Sequence, residues 1–181
     1  MKTILVVGLG NYGKEYDGTY HNMGFCAVDK LCDELGEMFT KKECKAITCH
    51  TILNGNKLIL AKPLTYMNAS GVAIRELVQK YKISHQDIYV FCDDIDLLVG
   101  KVRFRHSGSG GTHNGLRNIV ENIGEDFNRI KIGIGRDPKF SNLADFVLSK
   151  IPNQTKDILE DSCDEAVKLL INELENNFAN R

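Results

Sequence analysis

Apolar runs in this chain repeatedly deliver the backbone into loops of glycines and hydrogen-bonding side chains. That alternation constrains the fold more than any other feature. Ile4-Leu5-Val6-Val7 leads to Gly8-Leu9-Gly10-Asn11, and the following loop ends in His21-Asn22. Ile88-Tyr89-Val90-Phe91-Cys92 leads to Asp93 and Asp94. Asn68 sits in Thr65-Tyr66-Met67-Asn68-Ala69-Ser70-Gly71, and His113-Asn114 follow Gly108-Ser109-Gly110-Gly111-Thr112. Apolar strands feeding polar, glycine-bearing loops are how α/β enzymes build a site at one edge of a sheet. One imidazole, one carboxylate and three carboxamides suffice for cleavage by water without a metal.

Hydrophobic spacing supplies the elements between these loops. Residues 3–8 predict a buried strand, and Asn22 to about Gly36 a helix through Phe25, Val28, Leu31, Cys32 and Leu35. Ala46 to Leu53 and Lys57 to Lys62 read as strands joined at Asn54-Gly55-Asn56, a hairpin signal. Ala69 to Tyr81 is helical in pattern, Ile88 to Cys92 and Val99 to Arg105 are β-like, and His113 to Ile123 is helical. Arg129 to Gly135 alternates as a strand. Thr155 to Phe178 forms a long amphipathic helix with Ile158, Leu159, Ala166, Val167, Leu170, Leu174 and Phe178 on its apolar side. The expectation is one α/β domain over residues 1–181, with a mixed, mostly parallel twisted sheet and helices on both faces.

Bulk properties exclude several classes. No segment approaches the ~20 apolar residues of a membrane span, and the N-terminus carries no signal-peptide pattern. The six cysteines form no Cys-x-x-Cys unit, which fits buried thiols in a reducing cytoplasm. Lys and Arg number 23 against 24 Asp and Glu, for a net charge of −1. That balance argues against indiscriminate nucleic-acid binding and leaves room for a local basic face.

Two nucleotide motifs fail on inspection. Gly8-Leu9-Gly10-Asn11-Tyr12-Gly13 matches Gly-x-Gly-x-x-Gly, but Lys14 to Gly18 continues as loop where a dinucleotide fold needs a helix. The same stretch lacks the Ser or Thr of a phosphate loop and has Glu15 there. His21, just before a helix, is the candidate base, because a helix N-terminus disfavours imidazolium. Asp93 and Asp96 are both candidates to orient it. Asp93-Asp94-Ile95-Asp96 could also be a solvated turn or a magnesium loop, although no further acidic cluster completes a cage. Gly108 to Gly111, flanked by Lys101, Arg103, Arg105, His106 and Arg117, could bind an anion through backbone amides and cations, with Lys131, Arg136 and Lys139 downstream.

Taken in order over about 150 residues, these motifs resemble the bacterial peptidyl-tRNA hydrolase family. The signature Gly-Leu-Gly-Asn-Pro-Gly…Tyr…Thr-Arg-His-Asn-x-Gly is similar to Gly8 to Gly13, Tyr16 and Thr19 to Gly24. Pro63 to Gly71 matches Pro-x-Thr-[Phe/Tyr]-Met-Asn-x-Ser-Gly. Asp93 to Asp96, Gly111 to Arg117 and Arg129 to Gly135 match three further family segments. The resemblance implies hydrolysis of the ester joining a peptide to the 3′ end of tRNA, in a cytoplasmic monomer without cofactor or metal. It implies His21 as catalytic base and Asp93 as its orienting partner. Asn11 and Asn68 would bind the peptide and terminal nucleotide. Asn114 would position water, with His113 alongside. Tyr16, Tyr66 and Met67 would line the apolar part of the cleft, and Arg105 and Lys131 would hold the tRNA 5′-phosphate. Tyr12, Tyr20 and Thr112 depart from the usual proline, arginine and glycine, which bears on loop geometry rather than reaction type. A non-catalytic RNA-binding module on the same fold would account for the basic loop, but the presence of His21, Asp93, Asn68 and Asn114 favours the enzyme.

Overall fold

The first apolar run forms β1 (Thr3–Gly8), whose side chains are buried on both faces from Ile4 onward. The computed structural model describes residues 1–180. After β1 come α1 (Met23–Glu34), β2 (Lys41–Glu43), β3 (Ala46–Leu53), β4 (Asn56–Pro63) and α2 (Ser70–Tyr81). They are followed by β5 (Ile88–Asp94), β6 (Val102–Arg105), α3 (Asn114–Ile123), β7 (Asn128–Gly133), α4 (Leu143–Val147) and α5 (Asn153–Ala179). The seven strands form one sheet in the order β2-β3-β4-β1-β5-β7-β6. Neighbours among β4, β1, β5 and β7 pair in parallel, while β2, β3 and β6 add antiparallel edges. The C-terminal ends of the four parallel strands therefore lie along one edge, where β1 releases Asn11, β4 releases Tyr66 and β5 ends in Asp93 and Asp94.

Strand alternation sorts the core into two layers. Ile4, Val6, Leu58, Leu60, Phe91, Ile130 and Ile132 meet α1 and α5 on one face. Leu5, Val7, Ile59, Ala61, Val90 and Cys92 meet α2 and α3 on the other. Helices cover both faces, as near-continuous apolar central strands require. The turn at Asn54-Gly55, with φ of 48° and 77°, closes the β3–β4 hairpin with both central residues left-handed.

The loop after β1 is filled by the protein's own helix. A Cβ at Gly24 would lie 2.5 Å from the carbonyl oxygens of both Leu9 and Phe91, and one at Gly8 would strike the Gly24 carbonyl. These glycines let the start of α1 press against β1 and β5. Gly13 leads into a short 3₁₀ turn, Lys14–Tyr16, so no α-helix opens at the third glycine of the fingerprint. The nucleotide readings fail for that physical reason.

Four details differ from the sequence-based expectation. β6 starts at Val102 rather than Val99, because Gly100 takes φ of 92° and Lys101 N–H closes a turn on the Leu98 carbonyl. β7 stops at Gly133, beyond which Ile134 and Gly135 donate to the Asp94 and Leu97 carbonyls. Ile158 is 46% exposed, one step off the buried α5 stripe of Leu159, Cys163, Ala166, Val167, Leu170 and Leu174. The short elements β2 and α4 were not anticipated.

Candidate active site

The parallel edge opens into a cleft of about 650 Å³, lined by residues from every loop that leaves it. At its floor, the Asp93 carboxylate ends β5 and is only 2% exposed. His21 lies in the 3₁₀ turn Tyr20–Asn22 that leads into α1. Its Nδ1 is 2.9 Å and 3.1 Å from the two Asp93 oxygens. An ionised carboxylate only accepts, so Nδ1 carries the hydrogen and Nε2 holds a lone pair. Nε2 has no partner among the described residues, and His21 lines the cleft. Of the two candidate carboxylates, Asp93 therefore faces His21. Asp96 is paired with Arg136 at 2.6 Å near the surface.

The charges on this pair shift together. Burial lowers the His21 pKa, but the Asp93 charge and hydrogen bond outweigh it and leave the pKa raised above its ordinary value. The helix-terminus effect expected from sequence is thus secondary to the carboxylate. Burial also opposes the Asp93 anion, yet the His21 and His113 imidazoles hold it well below the usual carboxylate range.

His113 meets the same carboxylate from the other side. Its Nε2 is 3.0 Å from Asp93 Oδ1, and its Nδ1 accepts from the Leu116 N–H at 3.2 Å. The imidazole thus caps α3 as well as touching Asp93. Its ring centroid lies 4.8 Å from that of His21. Gly115 permits this packing, since a Cβ there would lie 2.5 Å from Met67 Sδ and 3.0 Å from His113 Cε1. Both ring nitrogens of His113 are engaged within the protein.

Asn11 is oriented from two sides. Its backbone N–H donates to Asn22 Oδ1, and its carbonyl accepts from Asn22 Nδ2. Its Oδ1 accepts from the Met67 N–H at 2.7 Å, so the side chain presents an NH₂ donor for further contacts. The backbone at Tyr66 is unusual, with φ of 60° and ψ of 166°, a region that side chains strongly disfavour. The distortion leaves Met67 buried, with Tyr66 stacked on Tyr12 at 4.6 Å and edge-on to Tyr16 at 6.1 Å. Tyr16, Tyr66, Met67, Asn68 and Asn114 all line the cleft.

The predicted cations divide. Lys131 and Arg103 line the cleft, whereas Arg105 does not. β6 runs antiparallel to β7, pairing Arg103 with Lys131 and Arg105 with Arg129. Arg105 therefore sits two residues, roughly 7 Å, farther from the parallel edge. His106 lies beyond it and bonds Asn128. Lys131 is 3.7 Å from Asp94, which partly offsets its charge. Sequence reasoning passed over Arg129, which is 1% exposed and donates to the carbonyls of Gly108, Ser109, Glu125 and Phe127. It also passed over α4, whose Leu143, Ala144 and Val147 wall the cleft. An arginine inside an apolar strand pattern was the available signal for Arg129; α4 gave none beyond a few apolar residues.

Known proteins resemble this chain in sequence and fold over nearly its whole length. The family model described as peptidyl-tRNA hydrolase matches residues 5–181. A peptidyl-tRNA hydrolase of Lachnoclostridium phytofermentans is 44% identical over 165 residues, covering 91% of this chain and 86% of that protein. One from Lactococcus lactis subsp. cremoris is 43% identical over 176 residues, covering 96% and 94%. The crystal structure of peptidyl-tRNA hydrolase from Acinetobacter baumannii superposes with a TM-score of 0.88 at 34% identity, covering 97% of this chain and 91% of that one. With the family model, the sequence and the fold agreeing over nearly the whole chain, the chain belongs to the peptidyl-tRNA hydrolase family.

Proposed function

We propose that this chain hydrolyses the ester joining a peptide, or an N-blocked aminoacyl group, to the 3′ end of tRNA, with His21 as general base. One observation carries the assignment of the base. His21 is tied to Asp93 through Nδ1, which leaves the Nε2 lone pair for the cleft. Nε2 takes a proton from water, and the resulting hydroxide attacks the ester carbonyl. The imidazolium that forms is held against the Asp93 anion. The protonated base can then return its proton to the departing ribose oxygen. No nucleophilic side chain is needed, because the neighbouring ribose hydroxyl already activates the ester. Its leaving group departs once water is positioned.

The carboxamides divide the remaining work. With its oxygen committed to Met67, Asn11 offers only a donor, which suits a carbonyl oxygen or the oxyanion that forms from it. Asn68 and Asn114 are exposed in the cleft and can both donate and accept, which suits the peptide amide, the terminal nucleotide and the attacking water. A free α-ammonium would bring a charge where a neutral amide is expected. Tyr16, Tyr66 and Met67 supply apolar wall for the peptide. Lys131 and Arg105 sit toward the β7–β6 side and are the proposed contacts for the 5′-phosphate.

His21, Asp93 and His113 have ligand atoms within 4.8 Å of one another, close enough for a metal ion. The Leu116 amide requires the lone pair on His113 Nδ1, so Nε2 carries the hydrogen that faces Asp93. That hydrogen argues for a hydrogen-bonded centre and chemistry without a metal. We read the protein as a cytoplasmic monomer. No helix among the described residues is long and apolar enough to cross a membrane. The decisive assay is release of N-blocked amino acid from N-acetyl-aminoacyl-tRNA in chelator-treated buffer. Turnover of the blocked substrate and not of the free aminoacyl-tRNA is expected. Failure to cleave either would favour a binding module, and dependence on an added divalent ion would revive the metal reading.

A further inference from the structure

We infer that His113 is a positioning residue for the base: a neutral hydrogen-bond donor, locked in one tautomer, that fixes the Asp93 carboxylate and shares its charge with His21. The inference rests on the reading of His21 as the base and goes beyond it, because it gives a task to a second imidazole that the reaction itself does not consume.

The argument begins with an obligatory donor. Leu116 N–H can only donate, and it points at His113 Nδ1 from 3.2 Å. Nδ1 must therefore present its lone pair, which places the single hydrogen of a neutral ring on Nε2. That hydrogen faces Asp93 Oδ1 at 3.0 Å. A hydrogen on Nδ1 would point at the Leu116 N–H and break the cap of α3. The ring cannot move away easily either, being packed where Gly115 leaves room beside Met67. With both nitrogens engaged, His113 has no hydrogen bond left for substrate in this arrangement.

Asp93 consequently has two imidazole donors, His21 bonding both carboxylate oxygens and His113 bonding Oδ1. The second donor has two effects. It pins the carboxylate orientation, and with it the direction of the His21 lone pair. It also withdraws part of the anion's charge, so His21 is less basic than it would be beside an unshared carboxylate. The other ionisable groups around the cleft are Asp94, Asp96, Arg103 and Lys131, with the phenols of Tyr16 and Tyr66. Asp94 is near Lys131 and Asp96 is paired with Arg136, so neither stands alone beside the centre. On α3 itself, Arg117 and Glu121 are exposed and line no part of the cleft.

His113→Asn separates capping from positioning. Asparagine is a good N-cap and can accept from the Leu116 amide, but it is too short to keep the bond to Asp93. The expected result is a fall in kcat of roughly tenfold, less than the ~10²–10⁴-fold of a positioned base because His113 acts only through Asp93. KM should change little, and the acid limb of the pH–rate profile should move upward by up to about one unit. His113→Gln, longer and able to donate to Asp93, should recover part of both changes. A lowered kcat with no movement of the limb, or a change in KM alone, would overturn the inference. Nitrogen NMR of ¹⁵N-histidine in the unaltered protein at neutral pH supplies a readout free of folding or activity problems. It should find the hydrogen of His113 on Nε2, and a hydrogen on Nδ1 would refute the lock. Should His21→Ala keep its activity, the base assignment fails, whereas the tautomer of His113 is still read directly.

Discussion

Two buried carboxylates in this molecule each meet a histidine, and only one of them belongs to a cleft. Asp93 ends a central strand between His21 and His113. Glu43 sits on the short edge strand β2, its side chain 4% exposed, and meets His50 Nε2 at 2.7 Å, Lys80 at 2.8 Å, the Thr48 hydroxyl at 2.6 Å and the Tyr81 hydroxyl. Burial opposes ionisation at both, and hydrogen-bonding partners hold both well below the ordinary carboxylate range. The difference lies in where the two centres sit. Around Glu43, lysines and hydroxyls tie an edge strand to the end of α2, and Glu43 lines no part of the cleft around Asp93. Around Asp93, one imidazole keeps an unpaired nitrogen beside a 650 Å³ opening. A shifted carboxylate and a nearby histidine are therefore insufficient to mark a reacting centre; the cleft onto which the imidazole opens is what marks it.

The sharpest test of that contrast removes the lone pair. His21→Ala should lower kcat by ~10²–10⁴-fold or more while tRNA affinity is kept. Near-normal turnover in the folded variant would erase the distinction between the two carboxylates. Next in size, Asp93→Asn should keep the fold and cost a large but smaller factor, because the amide can misassign the imidazole tautomer. It should also move the acid limb. The His21 pKa is raised in the intact protein, so activity should increase with pH through a midpoint above the ordinary imidazole value. Loss of the anion should bring that midpoint down. A limb that stays in place would mean Asp93 does not set the basicity of His21.

Glu43→Gln should show the converse behaviour. Breaking a buried, multiply bonded carboxylate should cost ~3 kcal/mol in denaturant unfolding, with kcat of the folded protein unchanged. For a carboxylate whose folded pKa is depressed, this stabilisation is present above the unfolded pKa. It is lost as pH falls through the folded value, so the gap between parent and variant should close in acid. A kcat effect as large as that of Asp93→Asn would show that the edge knot reaches the cleft. The smallest effects should come from Arg105→Ala and Lys131→Ala. Each should weaken full-length tRNA and slightly flatten the salt dependence of kcat/KM, sparing a short substrate that carries only the 3′ end. Equal losses on both substrates would place these cations at the ester instead.

Elements with a strong local cause are legible in the sequence. β1, β5 and the hairpin at Asn54-Gly55 follow from apolar runs and a turn that demands left-handed residues. β2 escaped because Lys41-Lys42-Glu43 is a charged edge strand, with no apolar period to read. The sequence places the start of β6 too early because Val99 is β-prone while Gly100 turns the chain. Within the site, motif order pointed to His21 and Asp93 and left Asp96 behind. The tie from His113 to Asp93 was not legible, since its partner lies 20 residues away and the ring's dual role depends on a helix cap. Arg105 was grouped with Arg103 by proximity in sequence, yet strand direction carries the two apart.

The guanidinium of Arg129 gives one more consequence. It is buried beneath the glycine loop and holds four backbone carbonyls, with no carboxylate among its hydrogen-bond partners. Burial pushes its pKa down, and no ion pair offsets its charge, which lies on the same face of β7 as Lys131. A chain with one excess negative charge overall therefore carries a fixed positive foundation under the rim that a polyanion must approach. Surface lysines lose much of their pull when salt rises, but a buried charge is screened far less toward a phosphate seated against the loop above it. Even after counterions mask the exposed cations, a phosphate docked against the glycine loop should keep part of its attraction.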